Sequence, residues 1–135
     1  MSRIKLAIYR MQKAKEILTE ARDNLDQKHY GLSINRSYYA MFTTARAFLA
    51  LKELDSSKHT GVISLFNQHI IKAELFPKDL SKFLPKAKDI REDADYGDFV
   101  EITKKDAETQ IERAMQFVQE AEKRIHKMIG GAESE

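Results

Sequence analysis

The sequence predicts an all-α fold, an antiparallel up-and-down helical bundle of three long and two shorter helices. The first observation is composition, because the 135 residues include only five glycines and two prolines, too few for the many turns of an all-β protein. The second is the recurrence of apolar residues at spacings of three and four along most of the chain. A chain of this length can bury about two-thirds of its unfolded surface. We therefore expect one domain over residues 1–130, followed by a polar tail over residues 131–135.

Three long helices are predicted from apolar residues that recur every three or four positions between charged ones. They run from about Arg3 to Leu25, from about Leu32 to Lys52, and from Thr103 to Gly130-Gly131. The start of the last helix carries an Asp variant of the Thr-x-x-Glu capping box, formed by Thr103 and Asp106. Glycine is common just after a helix, so we expect the paired glycines to end this one.

Two shorter helices are predicted between the second and the last long helix. One covers His59 to Ile71, and the other opens at Phe76-Pro77-Lys78-Asp79 and stops at Gly97. Pro85 must either lie in the first turn of this second helix or kink it, because its ring removes a backbone donor. The connections are brief, so neighbouring helices are expected to run antiparallel.

The second long helix organises the chain, because it is apolar over most of its circumference. A helix of that kind is usually surrounded by other helices. Its polar residues lie at spacings of three, four and seven and therefore form one narrow stripe. We call this line of side chains the polar stripe: Asn35, Arg36, Tyr39, Thr43 and Arg46.

Arg36 on the polar stripe has two interpretations, since an arginine stays charged and must be paired or hydrated. In the first, Arg36 pairs with the acidic turn at Asp93 or Asp95 and locks two helices together. In the second, it faces a groove with the other stripe residues and binds a phosphate through two parallel hydrogen bonds. Both can hold if the acids orient the guanidinium group.

Several kinds of chemistry are excluded or disfavoured. The chain has no cysteine, which rules out disulfides, thiolate metal ligands and a cysteine nucleophile. It has no phosphate-binding glycine loop, His-Glu-x-x-His helix or Gly-x-Ser-x-Gly turn. His59 is interpreted as an exposed end residue and His69 as a surface or interface residue, so no metal site and no cofactor are expected. The net charge of +2 at pH 7 does not by itself indicate nucleic-acid binding.

The sequence carries no sign of a membrane protein. No apolar stretch approaches the ~20 residues that a membrane-spanning helix needs. The first residues lead into an amphipathic helix and lack the apolar run of a signal peptide. We expect a cytoplasmic protein without membrane partners.

Four stretches, in this order and spacing, resemble the HEPN family (higher eukaryotes and prokaryotes nucleotide-binding): Asn35–Phe42, Ala45–Leu49, His59–Phe66 and Arg91–Tyr96. The likeness is to small stand-alone prokaryotic members and covers about residues 3–128. The resemblance implies a helical bundle, a homodimer, and association with a separately encoded minimal nucleotidyltransferase, often as a toxin–antitoxin pair.

Many HEPN proteins are metal-independent ribonucleases, whose signature is an arginine, usually a polar residue, and a histidine after four to six intervening positions. Arg36 and Ser37 match its start, but Met41, Phe42 and Thr43 stand where the histidine would fall. RNA cleavage needs a proton-transfer group near neutral pH, and Thr43 cannot titrate there.

The resemblance implies that Arg36 contacts nucleotide or RNA and that the nuclease motif is degenerate. Combined with the interpretation of the polar stripe as a groove, it predicts a module that binds nucleotide or RNA through the stripe, with Asp93 and Asp95 as supporting acids. Only Arg36 of the catalytic residues is present, so an active ribonuclease is not expected. One alternative is a ribonuclease in which a displaced histidine, His59 or His69, acts with Arg36. The other is a purely structural scaffold.

Overall fold

The computed structural model describes residues 2–97 and 100–134, and within these residues every regular element is a helix. The elements are α1 (Ser2–Asp26), α2 (Tyr30–Leu51), α3 (His59–Phe66) with a π-helical turn (Asn67–Ile71), α4 (Lys78–Ser81), α5 (Phe83–Tyr96) and α6 (Lys104–Ser134). The predicted all-α bundle of three long and two shorter helical segments is confirmed, with α4 and α5 making up the second short segment.

Helix α2 forms the centre of the bundle. It packs against α1, α3, α5 and α6, and every residue from Ala47 to Leu51 is buried. Four phenylalanine rings join its carboxyl-terminal half to α3, to the segment before α4 and to α6, with neighbouring ring centroids 4.8–6.0 Å apart. The four rings are those of Phe48, Phe66, Phe76 and Phe117. This core fixes which face of α2 remains near the surface.

Pro85 explains why the second short segment is divided into α4 and α5. It is the third residue of α5, so it lies in the first turn, one of the two positions that the sequence allowed. Proline has no N–H for the carbonyl of Ser81, and its ring crowds that carbonyl, so the helix is interrupted at Lys82. The other end agrees with the prediction: α5 stops at Tyr96, and the Gly97 N–H donates to the Asp93 carbonyl at 2.8 Å.

The predicted end of the last helix was wrong. Helix α6 continues through Gly130 and Gly131 to Ser134, so most of the expected polar tail is helical, and Glu135 lies outside the described residues. A glycine inside a helix costs only about 1 kcal/mol relative to alanine. Burial of Ile125 and Ile129 holds the preceding turns against the core and offsets that cost. No helix in the described part of the chain has the length and apolar character to cross a membrane.

Candidate functional site

The polar stripe is the part of α2 that the bundle leaves uncovered. Between Ser33 and Leu51, all residues are buried except the five stripe residues, Asn35, Arg36, Tyr39, Thr43 and Arg46, each of which is partly exposed. Their helical spacing places them on a single line, as predicted. The residues at its two ends have different neighbours, which divide the stripe into two separate clusters.

Among the described residues Arg36 pairs with neither Asp93 nor Asp95, so the first of its two interpretations was wrong. Its Nη2 and Nε donate to Asn35 Oδ1 at 2.8 and 3.0 Å, and its Nη1 lies 3.5 Å from Glu20 Oε1 on α1. Asp95 is instead paired with Arg91, one helical turn earlier, with Nε and Oδ2 2.9 Å apart. The N–H of this pair is not aligned for a hydrogen bond, so the contact is an ion pair.

The two predicted supporting acids have different positions relative to Arg36. Asp95 reaches the site indirectly, because Asn35 Nδ2 donates to its Oδ2 at 3.5 Å. Asp93 lines a groove between α5 and α6, together with Ile90 and Arg113. Of the two acids, Asp95 is therefore the one that contacts the amide that holds Arg36.

Tyr39 lies at the centre of the cluster around Arg36. The Cζ atom of Arg36 is 5.1 Å from the Tyr39 ring centroid, and that of Arg91 is 5.4 Å from it. Both distances are within the range of attractive cation–π contacts. Arg91 is thus a second guanidinium in the site, and sequence reasoning had not placed it there because α5 meets α2 only in the tertiary structure.

His59 also belongs to this cluster, which corrects its interpretation as an exposed end residue. It is half-buried, its ring centroid lies 4.4 Å from that of Phe42 and 5.7 Å from that of Tyr39, and its Nδ1 is 2.8 Å from Tyr38 Oη. Burial lowers the pKa of His59, and the positive charges of Arg91 and then Lys88 lower it further. Its position at the start of α3 gave no sequence signal for these contacts.

Arg46 lies in a second cluster at the far end of the stripe. Its Nη2 is 3.3 Å from Asp55 Oδ2, and Arg10 Nη2 is 3.7 Å from the same oxygen. Although burial opposes it, the Ser56 N–H and the Arg46 guanidinium hold the pKa of Asp55 below its usual value. Ten residues of helix separate Arg46 from Arg36, which is about 15 Å, with Thr43 between them. The stripe therefore does not bring its two arginines together.

The described residues contain no group of three or more histidine, aspartate or glutamate side chains placed to hold a metal ion. The chemical groups around Tyr39 are instead two guanidiniums, one imidazole and the Asn35 amide. Such groups recognise anions through hydrogen-bond donors and positive charge.

The fold and this arrangement define a helical bundle whose central helix carries an arginine- and aromatic-lined site. The sequence profile of the HEPN domain matches residues 7–125. The chain therefore belongs to the HEPN domain family, as the resemblance implied.

Relatives across bacteria and archaea cover nearly the whole chain. A protein of Thermotoga maritima named "UPF0332 protein" is 34% identical over 121 residues, which span 90% of this chain and 92% of the relative. A Methanocaldococcus jannaschii protein named "Putative toxin MJ0142" is 32% identical over 84% of this chain and 77% of its own length. A second one from that organism, "Putative toxin MJ0605", is 30% identical over 86% of each chain.

Proposed function

We propose that this protein is the toxin-like member of a two-component pair and binds RNA or nucleotide phosphate at the Arg36–Tyr39–Arg91 cluster. The observation that carries the proposal is the convergence of the two guanidinium groups on the Tyr39 ring, at 5.1 and 5.4 Å. The toxin assignment comes from the names of two relatives.

The electrostatics of Arg36 favour an anionic ligand. Its two shorter hydrogen bonds go to the neutral Asn35 amide, and its carboxylate partner Glu20 lies at 3.5 Å with its side chain 48% exposed. An exposed ion pair of this kind contributes little free energy, so the charge of Arg36 remains available to a phosphate.

We further propose that the protein works as a homodimer beside a minimal nucleotidyltransferase. Both parts rest on the family resemblance, and the second also on the toxin names of the relatives, since a toxin implies an antitoxin partner. The degenerate motif, with Thr43 in place of a histidine, argues that binding is the main activity of the site.

The test compares wild type, Arg36→Ala and the control Arg22→Ala, an exposed arginine on α1. Titration with a single-stranded RNA oligonucleotide should give about tenfold weaker binding for Arg36→Ala, because a hydrogen bond to a charged group contributes about 1.5–3 kcal/mol. Urea unfolding should change by less than about 1 kcal/mol, as expected for a surface ion pair. Arg22→Ala should leave binding unchanged.

The biological part of the proposal is tested by inducible expression in a bacterial host. Wild type should arrest growth, Arg36→Ala should not, and co-expression of the nucleotidyltransferase encoded beside this chain should restore growth. Unchanged binding and growth arrest by Arg36→Ala would contradict the proposal. A large loss of stability with unchanged binding would instead support the purely structural scaffold.

An active ribonuclease is a second candidate function, because His59 is edge-on to Tyr39 at a centroid distance of 5.7 Å. A histidine from α3 therefore lies beside the stripe although the motif position on α2 has none. The assay is cleavage of a mixed RNA pool at neutral pH without metal by wild type and His59→Ala. Cleavage that wild type performs and His59→Ala has lost would favour this candidate over a binding module.

A further inference from the structure

The contact between Tyr38 and His59 fixes the hydrogen-bonding state of the imidazole. Tyr38 is completely buried, and its Oη lies 2.8 Å from His59 Nδ1. Burial raises the pKa of Tyr38, with a further increase from Tyr39, so the phenol keeps its proton at neutral pH. The direction of this hydrogen bond depends on the tautomer of His59, and we assign the hydroxyl as the donor, because the opposite direction would leave the proton of a buried phenol without an acceptor.

A neutral imidazole that accepts at Nδ1 must carry its proton on Nε2. The Nε2 atom has no hydrogen-bond partner within the described part of the protein, and it is not one of the buried unpaired atoms. It therefore reaches solvent. His59 thus presents a fixed N–H donor at the surface of the Arg36–Tyr39–Arg91 cluster.

The charges that face His59 favour an anion at this position. Helix α5 contributes Arg91, Lys88 and Glu92, and α2 contributes the uncharged Tyr38 and Tyr39. The two cations influence the imidazole more strongly than Glu92 does, although Glu92 is paired with Lys88 at 2.6 Å. Both cations near His59 have a carboxylate partner, since Arg91 also lies 2.9 Å from Asp95, but their positive charges still dominate at the imidazole.

We propose that His59, held by the Tyr38 hydroxyl, donates its Nε2–H to a phosphate oxygen of the ligand beside Arg91. This inference rests on the proposed function, since it assigns a further binding residue to the same site. Tyr38 acts only through His59 and is a positioning residue. In this arrangement Nε2 already carries a proton, so His59 serves as a donor and does not replace the base that the α2 motif lacks.

The experiment is NMR of the histidine ring nitrogens in the full-length protein, first without ligand and then with inorganic phosphate and with a single-stranded RNA oligonucleotide. His29, His69 and His126 are internal controls in the same spectrum. Free His59 should show the Nε2–H tautomer and a pKa below the usual histidine value. Added phosphate should raise the pKa of His59 alone, because an anion favours the imidazolium.

Three variants separate donation from mere packing. His59→Ala should weaken RNA binding by about tenfold, whereas His59→Gln, which keeps an N–H near the Nε2 position, should recover part of that loss. Tyr38→Phe retains the ring but removes the hydroxyl, so His59 should become a mixture of tautomers and bind more weakly.

The results distinguish this inference from the proposed function. An Nδ1–H tautomer in free wild type, or a His59 pKa that neither phosphate nor RNA changes, would overturn the inference. If RNA still binds in that case and Arg36→Ala abolishes the binding, the proposed function stands without it. If RNA does not bind but phosphate shifts His59, the anion site is supported and the RNA-binding function is not.

Discussion

Two serines one turn apart on α2 show how differently a buried hydroxyl can be accommodated. Ser33 and Ser37 are both completely buried. Ser33 Oγ donates to the Ala21 carbonyl of α1 at 2.8 Å, whereas Ser37 Oγ has no hydrogen-bond partner. An unsatisfied buried polar group costs about 1–3 kcal/mol. Ser37 is the polar residue that follows Arg36 in the family signature, and its burial prevents contact with a ligand.

Replacing each serine by alanine should therefore change the free energy of unfolding differently. Ser33→Ala should lower the free energy of unfolding by about 1 kcal/mol, because a buried hydrogen bond between α1 and α2 is lost. Ser37→Ala should be neutral or stabilising, because it removes an unpaired hydroxyl. Urea unfolding of the two variants measures this difference, and each variant serves as the control for the other. An equal loss in both would show that Ser37 has a bonding partner in solution.

At the scale of the element, the start of α6 has the reciprocal capping box that the sequence predicts. The Thr103 N–H donates to Asp106 Oδ2 at 2.9 Å, and the Asp106 N–H donates to Thr103 Oγ1 at 3.1 Å. The backbone and side-chain hydrogen bonds from Thr103 lower the pKa of Asp106. This local motif was predictable because all its partners lie within four residues of one another.

Thr103→Ala should lower the free energy of unfolding by about 0.5–2 kcal/mol, the usual range for loss of an N-terminal cap. The measurement is urea unfolding near neutral pH. An exposed threonine inside a helix, Thr19 of α1, provides the matched control, and Thr19→Ala should have a much smaller effect. Equal effects of the two changes would show that the capping box does not stabilise α6 in solution.

The Asp106 carboxylate should also make the stability of α6 depend on pH. The pKa of Asp106 is lower in the folded protein than its ordinary value of 3.8. Its contribution to the free energy of unfolding is therefore complete above pH 3.8 and is lost as the pH falls through the folded pKa. Wild type should therefore be more stable than Asp106→Asn near neutral pH, and the difference should disappear in strong acid. If the difference in stability between wild type and Asp106→Asn does not change with pH, the Asp106 carboxylate is not its cause.

Features that depend on helical periodicity were predicted correctly from the sequence. Contacts between segments that are distant in the sequence were not. The polar stripe was correct because an exposed line on a helix follows from spacing alone. Arg91 and His59 were missed because α3 and α5 reach Tyr39 only through tertiary packing. The interpretation that Arg36 pairs with Asp93 or Asp95 was wrong. Asp95 pairs instead with Arg91, which lies one turn earlier on the same helix as Asp95. Gly130 did not end α6 because core burial outweighs a weak local preference.

In the whole molecule, the exposed large apolar side chains of the described residues include pairs in two places. Leu32 is 57% exposed and Tyr96 is 76% exposed. Leu32 precedes Tyr39 by seven residues and so lies on the line of the polar stripe, and the Tyr96 ring lies 6.0 Å from Arg91 Cζ. The second place is the start of α1, where Ile8 is 53% and Tyr9 is 65% exposed. Exposed apolar groups commonly mark interaction surfaces where they lie together.

We expect the proposed homodimer to use the surface around Leu32 and Tyr96. A two-fold interface places the same patch on both subunits, so this choice would bring two copies of Arg36 and His59 towards one cleft. The combined change Leu32→Ser with Tyr96→Ser should weaken dimerisation by about tenfold or more, since exposed aromatics are frequent anchors of interfaces. Light scattering across micromolar concentrations should show wild type at twice 15.6 kDa and the variant shifted towards the monomer.

The matched control is Ile8→Ser with Tyr9→Ser, which removes an equally apolar pair from α1 without touching the stripe. This variant should remain dimeric and should bind RNA as wild type does. If instead the α1 variant dissociates and the Leu32 and Tyr96 variant does not, the dimer interface lies on α1 and the two Arg36 sites are separate. RNA binding should then be measured for the variant that dissociates. If RNA binding is lost in parallel with dissociation while the Arg36 cluster is unaltered, both subunits are needed to complete the binding cleft.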